Sequence, residues 1–308
     1  MDKKTLAIIQ DIKDLKIQGA RNIAHKGVEA LMIESESYKG KSPGELISNL
    51  MVASDMIAGA RATEPMLRNF LQHIISKLTS SNSSSVKELK KIVDDNCNFI
   101  FDKLEKSKRN LKDYGSLLIK NNGVYYTHCH SSTVVSVFKE AYDDGINFSV
   151  IVSETRPKYQ GVKTAKELSS HGIPTTLIVD SCAYSFIRKC DAVFLGGDAV
   201  SVTGDLVNKV GSAGIACFAH MYNIPVYSCV EMNKFDPLTR WGMNIEIEER
   251  DSKEVYDGPK NKNLKVRNPA FDLVPGKYIT AYITEDGLIP PQALVNRSEE
   301  RRVGKECT

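Results

Sequence analysis

The first residues of the chain carry apolar side chains at helical spacing. Leu6, Ile9, Ile12 and Leu15 recur every three residues and form one stripe, which predicts an amphipathic helix. A glycine commonly follows a helix, so we expect this helix to have ended by Gly19. A second helix is expected soon after that glycine.

Further helix signals follow up to about residue 113. Residues 42–45 read Ser-Pro-Gly-Glu, and a capping serine, a proline in the first turn and a glutamate three residues later predict a helix start. Apolar residues at helical spacing within 67–78 predict another helix, and the serine-rich run 79–85 predicts a loop. One long helix is predicted behind it. The sequence therefore predicts an N-terminal helical domain over residues 1–113.

Short apolar runs alternate with helical patterns in the rest of the chain. The runs are SLLI, VYYTH, FSVIVSE, TTLIVD, AVFLGG and PVYSCV, and segments such as 132–144 and 209–222 separate them. This alternation predicts βαβ units, a parallel sheet and an α/β fold class. We expect this domain over residues 114–295. Residues 296–308 are predicted to be an atypical, disordered tail.

Composition narrows the classes of protein. The chain has 308 residues, of which 42% are hydrophobic and 26% charged, as in ordinary folded globular proteins. With 41 Lys and Arg against 38 Asp and Glu, the net charge of +3 indicates no nucleic-acid partner. No apolar run approaches the roughly 20 residues of a membrane span. Seven cysteines without a CxxC pair favour a reducing compartment, so we expect a cytoplasmic protein that binds no membrane.

Candidate chemistry lies where predicted strands end, because ligands of open parallel sheets bind at the carboxyl ends of the strands. Cys129 follows VYYTH and precedes a predicted helix, a position that favours either a thiol of lowered pKa or a small turn residue. His128 and His130 flank it without a fuller ligand set, so no metal is predicted. Asp198 follows AVFLGG as either a proton donor or a turn residue. Together the thiol and the carboxyl would act as base and acid on one substrate.

Cationic side chains at strand ends and in the helical domain predict an anionic substrate. Arginine suits bidentate contacts with an anion, and lysine supplies a point charge. Asn208 and Lys209 are predicted to open a helix. The cationic candidates are Arg156, Lys209 and Lys234 of the α/β domain, and Arg21 and Arg61 of the helical domain.

Six motifs in a fixed order then resemble a known family. They are THCHSS at 127–132, ETRPKYQG at 154–161, GGDAV at 196–200, NKVGS at 208–212, NPAFDLVP at 268–275 and YITAYITEDGLIPP at 278–291. Over about residues 5–291 the chain resembles the archaeal ribose-1,5-bisphosphate isomerases. Their superfamily includes methylthioribose-1-phosphate isomerase and the alpha, beta and delta subunits of initiation factor 2B. The resemblance implies that the α/β domain is Rossmann-like.

The resemblance also implies an activity. Enzymes of this family convert ribose 1,5-bisphosphate to ribulose 1,5-bisphosphate in AMP degradation. They use no metal or nicotinamide, form homodimers or homohexamers, and include members that AMP activates. By resemblance Cys129 is the proton acceptor and Asp198 the proton donor. The positions that match substrate contacts are Gly19, Ala20, Arg61, Ser131, Ser132, Thr133, Asn208, Lys209 and Lys234. Many relatives carry an arginine directly before Gly19, where this chain has Gln18, and we expect Arg21 to replace that charge.

Two alternatives remain open. Methylthioribose-1-phosphate isomerase would use the same cysteine and aspartate on a sugar with a single phosphate. A non-catalytic subunit like those of initiation factor 2B would share the fold but bind a protein partner. Such subunits typically lack the two residues, so the presence of Cys129 and Asp198 favours an enzyme.

Overall fold

The computed structural model describes residues 1–61, 63–241, 245, 247–259 and 261–294. The chain divides into two compact units, Met1–Lys106 and Ser107–Thr308. The division falls inside one long helix, and residue 113, the predicted end of the helical domain, lies in the same helix. The predicted tail at 296–308 lies outside the described residues.

The first unit is helical. Its helices are α1 (Lys3–Lys13), α2 (Ala20–Ser37), α3 (Pro43–Gly59), α4 (Pro65–Thr79) and α5 (Val86–Ser116), of which α5 runs on into the second unit. The predicted start of α3 is confirmed, because the Ser42 hydroxyl accepts the Glu45 N–H at 3.3 Å. The predicted stripe of α1 is wrong at its ends: Leu6 is 44% exposed, and Leu15 lies beyond the helix in a left-handed conformation.

The second unit alternates strands and helices. Its helices after α5 are α6 (Ser132–Asp143), α7 (Gln160–Ser170), α8 (Ala183–Ile187) and α9 (Ser212–Met221). Its strands are β1 (Gly123–His128), β2 (Phe148–Ser153), β3 (Thr175–Ile178), β4 (Ala192–Leu195), β5 (Ala199–Val200), β6 (Leu206–Lys209), β7 (Val226–Cys229), β8 (Phe271–Val274), β9 (Ala281–Thr284) and β10 (Gly287–Ile289). Within the described residues, no helix is long and apolar enough to cross a membrane.

The main sheet has the strand order β10-β9-β7-β4-β1-β2-β3. All its pairings are parallel except that of β10 with β9. The chain order reverses between the neighbours β1 and β4, which is the topological switch point of a doubly wound fold. A smaller antiparallel sheet has the order β5-β6-β8. The protein thus has a helical N-terminal domain followed by a Rossmann-like α/β domain, as the sequence predicts.

Helices cover both faces of the main sheet, so its central strands are apolar on both sides. Tyr125 of β1 and Phe194 of β4 meet edge-to-face at 5.7 Å between ring centroids. Phe138 of α6 packs against that pair on the same face. The next residues along, Tyr126 and Leu195, belong to the core on the opposite face. This alternation fixes the register of β1 and β4, and with it the residues that emerge at their carboxyl ends.

Two predicted elements are wrong. The run SLLI forms no strand, because α5 continues to Ser116 and a turn follows, in which Leu117 is 79% exposed. Asn208 and Lys209 do not open a helix: they end β6, where they pair with β8. The helix α9 begins three residues later. Its first turn is capped by Asp272, whose carboxylate accepts the N–H groups of Gly211 and Ala213 at 2.8 and 3.0 Å.

Candidate active site

The two predicted acid–base residues emerge from neighbouring strands at the switch point. Cys129 directly follows β1, and the turn Gly196–Gly197–Asp198 directly follows β4. The two strands are paired, with Thr127 opposite Phe194. In its ionised form Asp198 raises the pKa of the Cys129 thiol, so the two side chains influence each other electrostatically. The fold therefore brings the predicted base and acid to one edge of the sheet.

The paired glycines allow close packing around the Asp198 turn. A Cβ at Gly196 would lie 2.8 Å from the Cβ of Ser131. A Cβ at Gly197 would lie 2.5 Å from Cγ1 of Val230. Ser131 is the N-cap of α6, and Ser132 and Thr133 form the first turn of that helix. The N-terminus of α6 and the Asp198 turn are therefore in direct contact.

The main chain of Cys129 is held on both sides. Its N–H donates to Oγ1 of Thr155 at 2.9 Å, and its carbonyl accepts from Oγ1 of Thr164 at 2.8 Å. Cys129 and Thr155 have φ angles of 67° and 63°, in the left-handed region that residues other than glycine rarely adopt. Such conformations persist where the surroundings impose them, and they concentrate at functional sites.

His128, next to the cysteine, is buried within the protein. Its Nδ1 lies 2.6 Å from the Ser153 hydroxyl and its Nε2 lies 2.8 Å from the Val210 carbonyl. Since a carbonyl only accepts, Nε2 carries the proton and Nδ1 accepts from the hydroxyl. Burial lowers the pKa of His128, which keeps the ring neutral. Both ring nitrogens are thus engaged in tying the end of β1 to β2 and to the turn before α9.

Burial raises the pKa of the Cys129 thiol to about 11. The positive charge of Lys209 and the N–H of His130 lower it, whereas the carboxylates of Asp198 and Asp180 raise it further. At neutral pH the thiol is therefore protonated. The expectation of a lowered thiol pKa is wrong, because loss of hydration outweighs the cation and the N–H group.

Two predicted anion contacts lie at the end of β6. The Lys209 ammonium lies 4.5 Å from the ring centroid of Phe271, its partner on β8. Asn208 is buried, and its Nδ2 donates to the Ser212 hydroxyl at 2.9 Å. The positive charge of Lys209 lowers the pKa of the Cys129 thiol, so this cation acts electrostatically on the cysteine. The end of β6 thus supplies a positive charge and an amide to the same site.

Lys234 lies in a short 3₁₀ turn, Met232–Lys234, after β7. Its ammonium is buried, lies 3.0 Å from Oε2 of Glu231, and donates to the Gly197 carbonyl at 2.8 Å. Glu231 is also buried. This ion pair therefore contacts the turn that carries Asp198.

Arg156 is exposed at the turn after β2. Its guanidinium donates to the Tyr159 hydroxyl at 2.9 Å and to the Val255 carbonyl at 3.3 Å. Its backbone N–H donates to the Asp180 carboxylate at 2.7 Å. The guanidinium thus links this turn to the segment between β7 and β8.

The remaining predicted contacts lie in the helical unit. Gly19 is the N-cap of α2 with a φ of 84°, and Ala20 is the first residue of that helix. Arg21 donates to the Leu104 carbonyl and forms an ion pair with Glu105 at 3.0 Å. Arg61 follows α3, and its N–H donates to the Ala58 carbonyl at 3.3 Å.

Sequence reasoning missed the roles of Thr155, Thr164 and Glu231. Thr155 lies inside the ETRPKYQG motif beside Arg156, whose charge is the stronger signal in the sequence. Thr164 lies one helical turn into α7, and nothing in the sequence indicates that it reaches back to Cys129. Both contacts depend on the close approach of β1, β2 and α7, which is a tertiary property.

Comparison with known proteins places the chain in a family. The model of the Initiation factor 2 subunit family matches residues 16–291, and the chain belongs to that family. It is 38% identical over 307 residues to a ribose 1,5-bisphosphate isomerase of Pyrococcus furiosus, covering 97% of this chain and 94% of the relative.

Two solved structures from Pyrococcus horikoshii OT3 are also similar. One is translation initiation factor eIF-2B, with a TM-score of 0.81 and 28% identity over 94% of this chain and 98% of that one. The other is a 5-methylthioribose 1-phosphate isomerase, with a TM-score of 0.79 and 26% identity over 97% of this chain and 88% of that one.

Proposed function

We propose that this protein is an aldose–ketose isomerase that converts α-D-ribose 1,5-bisphosphate to D-ribulose 1,5-bisphosphate. Cys129 is the proton acceptor and Asp198 the proton donor. The observation that carries the proposal is the position of these two residues after adjacent strands at the switch point, where the charge of Lys209 also acts on Cys129. The similarity to a ribose 1,5-bisphosphate isomerase over 97% of the chain supports this substrate.

The chemistry of the substrate requires a base and an acid together. A phosphate on the anomeric carbon prevents the sugar ring from opening by itself. Cys129, as thiolate, removes the proton from carbon 2, and the electron pair of that bond forms a double bond between carbons 1 and 2. The bond from carbon 1 to the ring oxygen breaks, and the ring oxygen takes a proton from Asp198, which enters this step as the protonated carboxyl and leaves it as the carboxylate. The Cys129 thiol then returns its proton to carbon 1 of the enol, and the Asp198 carboxylate takes the hydroxyl proton at carbon 2, which gives the ketose and restores both residues.

The half-buried Cys129 thiol suits this reaction only once it is ionised. Lys209 and the His130 N–H favour the thiolate, and they are the groups near Cys129 that oppose the effect of burial. A base of high pKa is also strong, so the small ionised fraction is reactive toward a carbon-bound proton. The proposal therefore assigns Lys209 a role in stabilising the thiolate in addition to its predicted contact with substrate.

We propose that the residues predicted from the sequence to contact the substrate do so. In the second unit they are Ser131, Ser132, Thr133, Arg156, Asn208, Lys209 and Lys234, and in the first unit Gly19, Ala20, Arg21 and Arg61. Hydroxyls and N–H groups at the N-terminus of α6 are suited to a phosphate group. Holding both phosphates would fix the sugar in its reactive orientation, which contributes strongly to the rate.

We also propose AMP activation, a role in AMP degradation, a cytoplasmic location and a homodimer or homohexamer.

A comparison of two substrates tests the proposal. Purified protein is incubated with α-ribose 1,5-bisphosphate or with methylthioribose 1-phosphate, with and without AMP, and each ketose is measured. Faster turnover of the bisphosphate supports the proposal. Faster turnover of methylthioribose 1-phosphate would assign the protein to the second isomerase, and inertness toward both would favour a non-catalytic subunit.

A further inference from the structure

We propose that Thr155 and Thr164 are positioning residues, which hold Cys129 by its main chain so that its thiol faces the reacting carbon. We call the three residues the threonine clamp. The inference rests on the proposed role of Cys129 as a base. Nothing in the family resemblance assigns a role to either threonine.

The first part of the clamp is the hydrogen bond from the Cys129 N–H to Thr155. Thr155 is fully buried, and its hydroxyl accepts that N–H at 2.9 Å while donating to the Ser153 carbonyl at 3.1 Å. The same hydroxyl lies 3.3 Å from Nδ1 of His128, so two main-chain groups and the His128 ring surround it. Because Cys129 and Thr155 both have positive φ, the hydrogen bond joins two strained residues and stabilises each conformation.

The second part of the clamp holds the other side of the same residue. Thr164 is buried, and its hydroxyl donates to the Cys129 carbonyl at 2.8 Å. The same hydroxyl lies 3.0 Å from Nδ1 of His130, which donates to it because the hydroxyl proton is already used. With its N–H and its carbonyl both engaged, Cys129 has little freedom to rotate. The direction of its Cα–Cβ bond then follows from the backbone.

Neighbouring elements fix the threonines themselves. The Asp180 carboxylate accepts the N–H groups of Thr155 and Arg156 at 2.8 and 2.7 Å, which anchors the turn after β2. Gly161 lets α7 approach β2, since a Cβ there would lie 1.7 Å from the Ser153 carbonyl oxygen. Because Thr155 and Thr164 are held by these elements, their hydrogen bonds to Cys129 restrain its main chain.

Substitutions of the two threonines can separate the effect of the hydroxyl from that of the methyl group. Valine has the shape of threonine without the hydroxyl, and serine keeps the hydroxyl without the methyl group. We therefore compare Thr155→Val and Thr164→Val with Thr155→Ser and Thr164→Ser. Thr175→Val is the matched control, because the Thr175 hydroxyl donates to the Ile173 carbonyl at 2.8 Å, away from the clamp. Circular dichroism and thermal unfolding establish that each variant is folded.

The first readout does not depend on turnover. Iodoacetamide alkylation of Cys129 is followed by mass spectrometry of its own peptide between about pH 7 and 11, because the thiolate is the reactive form. The charged and titratable groups around Cys129 and the two threonine hydroxyls are Lys209, Asp198, Asp180, His128 and His130. No variant replaces any of them, although Thr164→Val also removes the acceptor of the His130 Nδ1 hydrogen bond. A loosened clamp lets water reach the thiol. The alkylation midpoint is the pH at which the rate of alkylation reaches half its maximum. We expect this midpoint to fall in both valine variants and to stay at its original pH in both serine variants and in Thr175→Val.

The second readout is isomerisation of α-ribose 1,5-bisphosphate. A misplaced base slows the chemical step, so we expect kcat to fall at least about tenfold in the valine variants while KM changes less than about twofold. The serine variants should recover most of kcat. Unchanged midpoints and kcat in the valine variants, or a failure of serine to restore them, would overturn the clamp. If the original protein turns over neither sugar, the proposed function fails, and the alkylation midpoints alone decide the clamp.

Discussion

The Lys234 ammonium donates to the Gly197 carbonyl across 2.8 Å, and this bond joins a buried ion pair to the turn that carries Asp198. Glu231, the ion-pair partner, is the N-cap of the short 3₁₀ turn that ends at Lys234, and this turn brings the two side chains together. Buried charges are tolerated where they are paired and hydrogen-bonded. The pair therefore gives the Asp198 turn a rigid support.

Substitution of one member of this pair should be costly. Lys234→Met leaves the Glu231 carboxylate buried without its partner ammonium, so we expect a loss of about 3–5 kcal/mol in the free energy of unfolding. Turnover should fall as well, since the Gly197 carbonyl loses its donor. Urea unfolding and isomerase assays measure the two effects.

The double variant Glu231→Gln/Lys234→Met is the control for this prediction. With no charge left buried, it should regain a large part of the lost stability without regaining turnover. Equal stability of the single and double variants would show that the buried carboxylate is not the source of the loss.

The charge of Lys209 should set the reactivity of Cys129. Burial raises the pKa of the Cys129 thiol, and the Lys209 cation offsets part of that increase. Lys209→Met removes this offset, so the thiol pKa should rise further. Below the pKa, each unit of increase reduces the thiolate fraction about tenfold. We therefore expect slower alkylation of Cys129 at pH 9 and an alkylation midpoint above about 11.

Lys277→Met is a matched control, since the Lys277 ammonium also lies over a ring, at 5.1 Å from the centroid of Tyr278. It should leave the Cys129 midpoint in place. Asp198→Asn should shift the midpoint in the opposite direction, because its carboxylate raises the thiol pKa. Shifts of the same sign for Lys209→Met and Asp198→Asn would contradict this electrostatic arrangement.

Gly161 should tolerate no side chain. Gly161→Ala would place a Cβ 1.7 Å from the Ser153 carbonyl oxygen, so α7 must move away from β2. We expect a loss of stability of at least about 1–3 kcal/mol and a large fall in kcat, because Thr164 moves with the helix. Gly214→Ala in α9 meets nothing within 4 Å and should be neutral or slightly stabilising. Thermal unfolding of both variants measures the contrast, and an equally stable Gly161→Ala would refute the tight contact.

The sequence predicts the main features of the fold because strand and helix patterns alternate clearly. It also predicts that Cys129 and Asp198 share one edge, since both follow parallel strands that meet there. It fails for Asn208 and Lys209, whose short strand is set by pairing with the distant β8. It fails for the thiol pKa as well, because burial by the surrounding elements cannot be read from the residues that flank Cys129.

The central claim is that Cys129 and Asp198 form the base and the acid of a bisphosphate isomerase. The most direct test is turnover of α-ribose 1,5-bisphosphate by the original protein and by Cys129→Ser and Asp198→Asn, with substrate binding measured by calorimetry. We expect ribulose 1,5-bisphosphate from the original protein and a loss of at least about 10²–10⁴ in kcat for each variant, with binding retained. Full turnover in either variant would contradict the claim.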